Sequence, residues 1–88
     1  MDEQVKQELW KMLCNIGKEL DLEVGETGVS NGKWIIVQEN RITLSIFGRK
    51  NEGEKAIMKI KNFLQENEIN SKLKKSENEK IFNFILEF

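Results

Sequence analysis

The residues most able to do chemistry in this chain are four cations close together, Arg49, Lys50, Lys55 and Lys59. Free N–H groups and the positive dipole end at a helix start favour an anion, so basic side chains gathered there would suit a phosphate or a carboxylate. Three large apolar residues, Trp10, Phe47 and Met58, fall at margins of apolar patterns and are candidates to anchor a partner surface. Little other reactive chemistry is present. Histidine, tyrosine and proline are absent and Cys14 is the single cysteine. Ser/His/Asp and Cys/His nucleophiles, His-based metal sites and internal disulfides are therefore excluded.

The remaining motifs point to structure. Gly28 to Lys33 places only three residues between its glycines and has Trp34 after the lysine, so it is not a phosphate-binding P-loop. Gly25-Glu26-Thr27-Gly28 has the spacing of a KH clamp, but it contains an acid and precedes a strand, and it is read as a turn. The pairs Glu52/Glu54, Glu66/Glu68 and Glu77/Glu79 are two apart, a spacing that does not stack carboxylates on one helical face. They are read as solvated charges. Cys14, with Lys11 and Lys18 one turn away, is read as an exposed helix cysteine without a role. No catalytic set, metal or cofactor site is expected, and the chain is not read as an enzyme.

The elements that must carry these residues follow from periodicity. With 88 residues, 39% hydrophobic and 33% charged, the chain is one domain, 1–88. Residues 2–20 place Val5, Leu9, Met12, Leu13, Ile16 and Leu20 on one helical stripe, with Trp10 at its edge and Cys14 opposite. Leu22 and Val24 suggest a short strand that runs into the glycine-rich GETGVSNG, where Asn31-Gly32 signals a chain reversal. Lys33 to Gln38 is apolar on both faces and reads as a covered strand. Arg41 to Phe47 alternates, with Ile42, Leu44 and Ile46 opposite Thr43, Ser45 and Phe47, and Glu39-Asn40 would turn the hairpin.

Asn51 followed by Glu54 has the form of a capping box, predicting a second helix that ends near Asn67 and buries Ala56, Ile57, Ile60, Phe63 and Leu64. Met58 points away from that stripe. Residues 69–74 alternate as a strand, Ser76, Glu77 and Asn78 form a polar turn, and residues 81–88 close the chain. The last strand, IFNFILEF, puts Phe82, Phe84, Leu86 and Phe88 on one face and Ile81, Asn83, Ile85 and Glu87 on the other. It would be an aggregation hazard at an edge and is placed inside the sheet.

The expected fold class is α+β in the order α-β-β-β-α-β-β, two helices packed on one face of an antiparallel sheet. The other face, carrying Thr43, Ser45, Lys72 and Lys74, would be partly solvated. A shift of 47 residues aligns Asn15 with Asn62, Leu22 with Ile69 and Lys33 with Lys80, a faint echo of the kind that amphipathic elements of one type produce by chance.

Charge is unevenly distributed. Residues 1–30 hold seven acids and three bases, residues 31–62 seven bases and three acids, and residues 63–88 five acids and four bases, for a net charge of −1. The acidic, amphipathic start MDEQVKQELW is unlike a secretory signal, and a lone cysteine suits a reducing compartment, so a cytoplasmic location is expected. The abundance of Lys, Asn, Ile and Glu suggests AT-rich coding, as in a low-GC bacterium or its phage.

The basic segment Gly48 to Ala56, GRKNEGEKA, within the α-β-β-β-α order of residues 2–67, resembles the general plan of double-stranded RNA-binding domains. In them a lysine-rich turn at the second helix contacts phosphate. Here the lysines are not in the KKxAK arrangement, Glu52 and Glu54 interrupt the patch, and two more strands follow. The leading expectation is a small non-enzymatic protein binder without membrane contact, similar in size and makeup to phage-encoded inhibitors such as anti-CRISPR proteins. Nucleic-acid binding through Arg49, Lys50, Lys55 and Lys59 is the second reading. Self-association as a homo-oligomer is the third.

Overall fold

The computed structural model describes all 88 residues. Helix α1 (Glu3–Leu20) leads into β1 (Glu23–Gly25), β2 (Lys33–Gln38) and β3 (Arg41–Phe47). Helix α2 (Lys50–Glu66) then precedes β4 (Lys72–Asn78) and β5 (Ile81–Glu87). The fold is α+β in the expected order, with one five-stranded sheet in the spatial order β1-β2-β3-β5-β4. No helix is long and apolar enough to cross a membrane.

Helix α1 begins where the Asp2 carboxylate accepts the Val5 N–H (2.9 Å), satisfying one of the unpaired donors of the first turn. It ends at Asp21, whose left-handed backbone (φ 56°) returns its N–H to the Gly17 carbonyl. Its buried stripe is Leu9, Leu13, Ile16 and Leu20, and that of α2 is Ala56, Ile57, Ile60 and Leu64, as the periodicity predicts. Both stripes meet the sheet face that carries Ile35, Val37, Ile42, Leu44, Ile46, Phe84 and Leu86 in a single core. Strand β5 lies between β3 and β4, antiparallel to both, with Phe84 and Leu86 buried in the core and Phe82 and Phe88 half-buried at its margin.

Four local expectations are corrected. First, β1 pairs parallel with β2, so residues 26–32 do not form a hairpin at Asn31-Gly32. With only three residues in β1, the chain instead crosses the sheet face and enters β2 from the same end. Second, α2 starts at Lys50 and not at an Asn51 cap. Its N-cap, Arg49, is left-handed (φ 49°) and makes no side-chain cap bond, since a guanidinium has no acceptor to offer the first-turn N–H groups; it donates instead to the end of α1. Third, residues 69–71 are not strand. Ile69 folds back on the helix end, its N–H donating to the Leu64 carbonyl (2.8 Å), while Lys61 Nζ donates to the Ser71 carbonyl (2.8 Å). Ile69 is thus an apolar contact behind a helix C-terminus. Fourth, Ser76, Glu77 and Asn78 are strand residues, and the reversal falls at Glu79, with φ 58°, and Lys80. The faint echo between the halves has no structural counterpart: β1 and β2 are parallel where β4 and β5 form a hairpin.

One buried helical position was not visible in the apolar pattern. Gly53 faces the sheet, and a Cβ there would lie 2.8 Å from Phe84 Cε2 and 3.0 Å from Ile46 Cγ2. Both neighbours are fully buried and have no room to retreat. Replacing a helix-interior glycine by alanine normally gains about 1 kcal/mol. Here the sign reverses: Gly53→Ala is expected to destabilise the fold by about 1–3 kcal/mol through overpacking, read as a lowered urea midpoint at unchanged slope. A stabilised variant would contradict this packing.

Candidate functional site: the open sheet face

Strand alternation sends every second side chain away from the helices, and strand registry sets these in rows. Trp34, Ser45, Asn83 and Ser76 make one row from β2 to β4, and Ile36, Thr43, Ile85 and Lys74 make the next. Gln38, Arg41, Glu87 and Lys72 form a charged row at one end. Phe47, Ile81 and Asn78 lie at the other.

The crossing loop covers only part of this face. At Gly28 a Cβ would lie 2.6 Å from Trp34 Cε3 and 3.1 Å from Ile36 Cγ1, so the loop backbone rests directly on both side chains. The Gly32 N–H donates to Ser45 Oγ (2.8 Å), and the Phe47 N–H donates to the Gly32 carbonyl (2.9 Å). Ile36, Thr43 and Ser45 are consequently buried on the face away from the helices. Beyond β3 the cover ends. Phe47 is 58% exposed, Ile81, Asn83 and Ile85 are half-buried, and the β4 residues Lys72, Lys74, Ser76 and Asn78 are exposed. At the centre of this open half the Asn83 carboxamide oxygen is buried and accepts no hydrogen bond. A buried acceptor left unpaired costs about 1–3 kcal/mol.

The charged row is internally organised. Glu87 receives Lys74 Nζ at 2.7 Å and Arg41 at 3.2 Å. The hydrogen bond from Lys74 is the main cause that holds the Glu87 carboxyl below its ordinary value of 4.5, with the charge of Lys74 and the bond and charge of Arg41 adding to it and partial burial opposing them. Three cations against one carboxylate still leave Arg41, Lys72, Lys74 and Glu87 a positive rim.

The seven residues singled out from sequence are not brought together. Arg49 donates to the Leu20 carbonyl at the C-terminus of α1 (3.0 Å) and lies 3.6 Å from Glu52, so it joins the helices. Lys50 sits over the Phe82 ring at 5.7 Å from its centroid. Lys55 and Lys59 flank a groove between the helices together with Glu19 and Glu52. At about 100° per residue, Lys59 is half a turn round α2 from Lys50, which places the two lysines on opposite flanks. Met58 is exposed alone on the outer side of α2. Trp10 is half-buried against the core margin and lines a cleft with Leu9, Val37 and Phe88. Phe47 alone of the seven stands on the open sheet face. Ile81, Asn83 and Ile85 were missed as site residues, although their alternation against the aromatic stripe placed them on that face.

Comparison with protein-family models, with curated proteins and with solved structures finds no significant match.

The ion pairs of Glu87 give the face an acid-sensitive element. A carboxyl depressed in the folded state stabilises the fold above its ordinary value, and that contribution is lost as pH falls through the folded value. NMR titration of the Glu87 side chain should give a midpoint below 4.5, and Lys74→Ala should raise it. A midpoint at or above 4.5 in the unaltered protein would contradict the arrangement.

Proposed function

We propose that this chain is a non-enzymatic binding domain that docks another protein on the open half of its sheet, with Phe47, Ile81 and Ile85 as anchors. The observation that carries this reading is the exposure of Phe47 beside Ile81 on a face that the loop leaves bare. An apolar patch rimmed by polar residues is the usual form of a protein contact, and central aromatic anchors dominate such contacts. The rim supplies the partner's chemistry: Arg41, Lys72 and Lys74 outnumber Glu87, which fits an apolar surface bordered by carboxylates. Where the partner is an enzyme or a defence complex, the same contact would act as an inhibitor of the anti-CRISPR kind, by protein–protein contact alone.

Nucleic-acid binding is less well supported, since Arg49, Lys50, Lys55 and Lys59 are divided between the end of α1, an aromatic ring and an acid-lined groove.

The test is affinity capture from a bacterial lysate on the immobilised protein, with and without nuclease, using the unaltered chain, Phe47→Ala and Ile85→Lys. A partner retained at fixed stoichiometry after nuclease, with recovery falling at least about tenfold for both variants, is the expected result. Both side chains lie outside the helix-covered core, so the melting transition should be little changed. Equal capture by Phe47→Ala, or loss of all recovered protein with nuclease, would overturn the reading.

A further inference from the structure

The sheet ends in two unlike edges. β1 is three residues long, whereas β4 runs for seven residues, all exposed except the half-buried Leu73. Main-chain hydrogen bonds show which groups that edge offers. The Phe88 N–H donates to Asn40 and the Gly48 N–H to Lys80, so the even-numbered residues of β5 bond toward β3 and the odd-numbered ones toward β4. Their partners in β4 are Lys72, Lys74, Ser76 and Asn78. Leu73, Lys75 and Glu77 therefore point their N–H and C=O groups outward, unpaired.

From this edge we infer that the chain pairs with a second copy of itself, β4 against β4 antiparallel about a twofold axis through Ser76. Such an axis, normal to the sheet, keeps both pairs of helices on one side and requires facing residues of like parity. With the axis at Ser76, Lys75 of each copy faces Glu77 of the other, and Lys74 faces Asn78. Lys75 and Glu77 have outward-pointing backbones, so each facing pair exchanges both N–H···O bonds as well as opposite charges. Neighbouring registers are rejected by the same charges. An axis at residue 74 or 75 sets a lysine on its own copy, and an axis at residue 77 sets Glu77 on Glu77. Charged edges ordinarily prevent sheet-to-sheet association, and among the axes at residues 74 to 77 only the one at Ser76 has no like-charge contact on the axis, while axes at Leu73 and Asn78 set Lys72 against Lys74 and Glu77 against Glu79. The overlap is short, which makes this a weak association and not an obligate dimer. It would merge two five-stranded sheets into one and set two open faces side by side. This pairing does not depend on the partner proposed above, and it fails or holds independently.

Sedimentation equilibrium up to about 1 mM protein tests it. The unaltered chain should approach twice the chain mass. Lys75→Glu and Glu77→Lys, each alone, should stay monomeric, since each sets like charges opposite one another in both facing pairs. An equimolar mixture of these two variants should dimerise, because both facing pairs then bring a carboxylate of one variant against an ammonium of the other. The chain carrying both exchanges, Lys75→Glu and Glu77→Lys, should dimerise alone. Circular dichroism establishes that every variant is folded. A monomeric parent chain at all concentrations overturns the inference, as does a single variant that still dimerises or a mixture that does not.

Discussion

A five-stranded sheet has two faces to cover, and this chain has only two helices with which to cover them. Both helices pack on the same side, where Phe84 lies under α2 at the point where Gly53 lets the helix close on the sheet. The other face receives one loop. Residues 26–32 lay backbone directly on Trp34 and Ile36 and cap Ser45 with a main-chain N–H, which is enough to bury Ile36, Thr43 and Ser45 and to half-bury Trp34. The loop does not extend over β5 and β4. The half-buried Ile81 and Ile85 follow from that shortfall, as does the free β4 edge from the lack of any element beyond it.

The same economy governs the charges. Arg49 is held by the carbonyl end of α1, where the helix dipole favours a cation, and its bond to Leu20 ties the last turn of one helix to the first turn of the next. Lys50 covers an aromatic ring, and Lys61 secures the link after α2 by holding the Ser71 carbonyl. Cations that sequence gathers into one run of chain thus act at separate places as structural links. On the open face a single acid, Glu87, collects Arg41 and Lys74 across three strands. That arrangement orders the end of the sheet and leaves its border positive.

Much of the fold was legible because it is written in short-range periodicity. The stripes of α1 and α2, the alternation of β3 and the two-faced apolar run of β5 each identify an element and its buried side, and burying the aromatic face of β5 required placing that strand inside the sheet. What failed depends on contacts between distant residues. The parallel pairing of β1 follows from where β2 lies in space, and Arg49, just ahead of α2, bonds a carbonyl 29 residues upstream that no local pattern reveals. Ile69 imitated strand alternation while serving a helix terminus. The candidate site was half legible: Phe47 stood out by alternation, and Ile81, Asn83 and Ile85 were placed on the right face without being recognised as a patch. The dispersal of the lysines was available in helical phase, since positions 50 and 59 lie on opposite flanks of any regular helix.

The central claim is that the loop shields one half of the open face and leaves the other accessible. Methyl NMR with a soluble gadolinium chelate measures this directly. All the isoleucines concerned lie in the same sheet, so differences among them report cover and not local order. The account predicts strong relaxation enhancement at the methyl groups of Ile81 and Ile85, with Ile36 under the loop and Ile42 under the helices both protected. Equal protection of Ile85 and Ile36 would contradict it, because the face would then be covered throughout and would offer a partner no apolar surface.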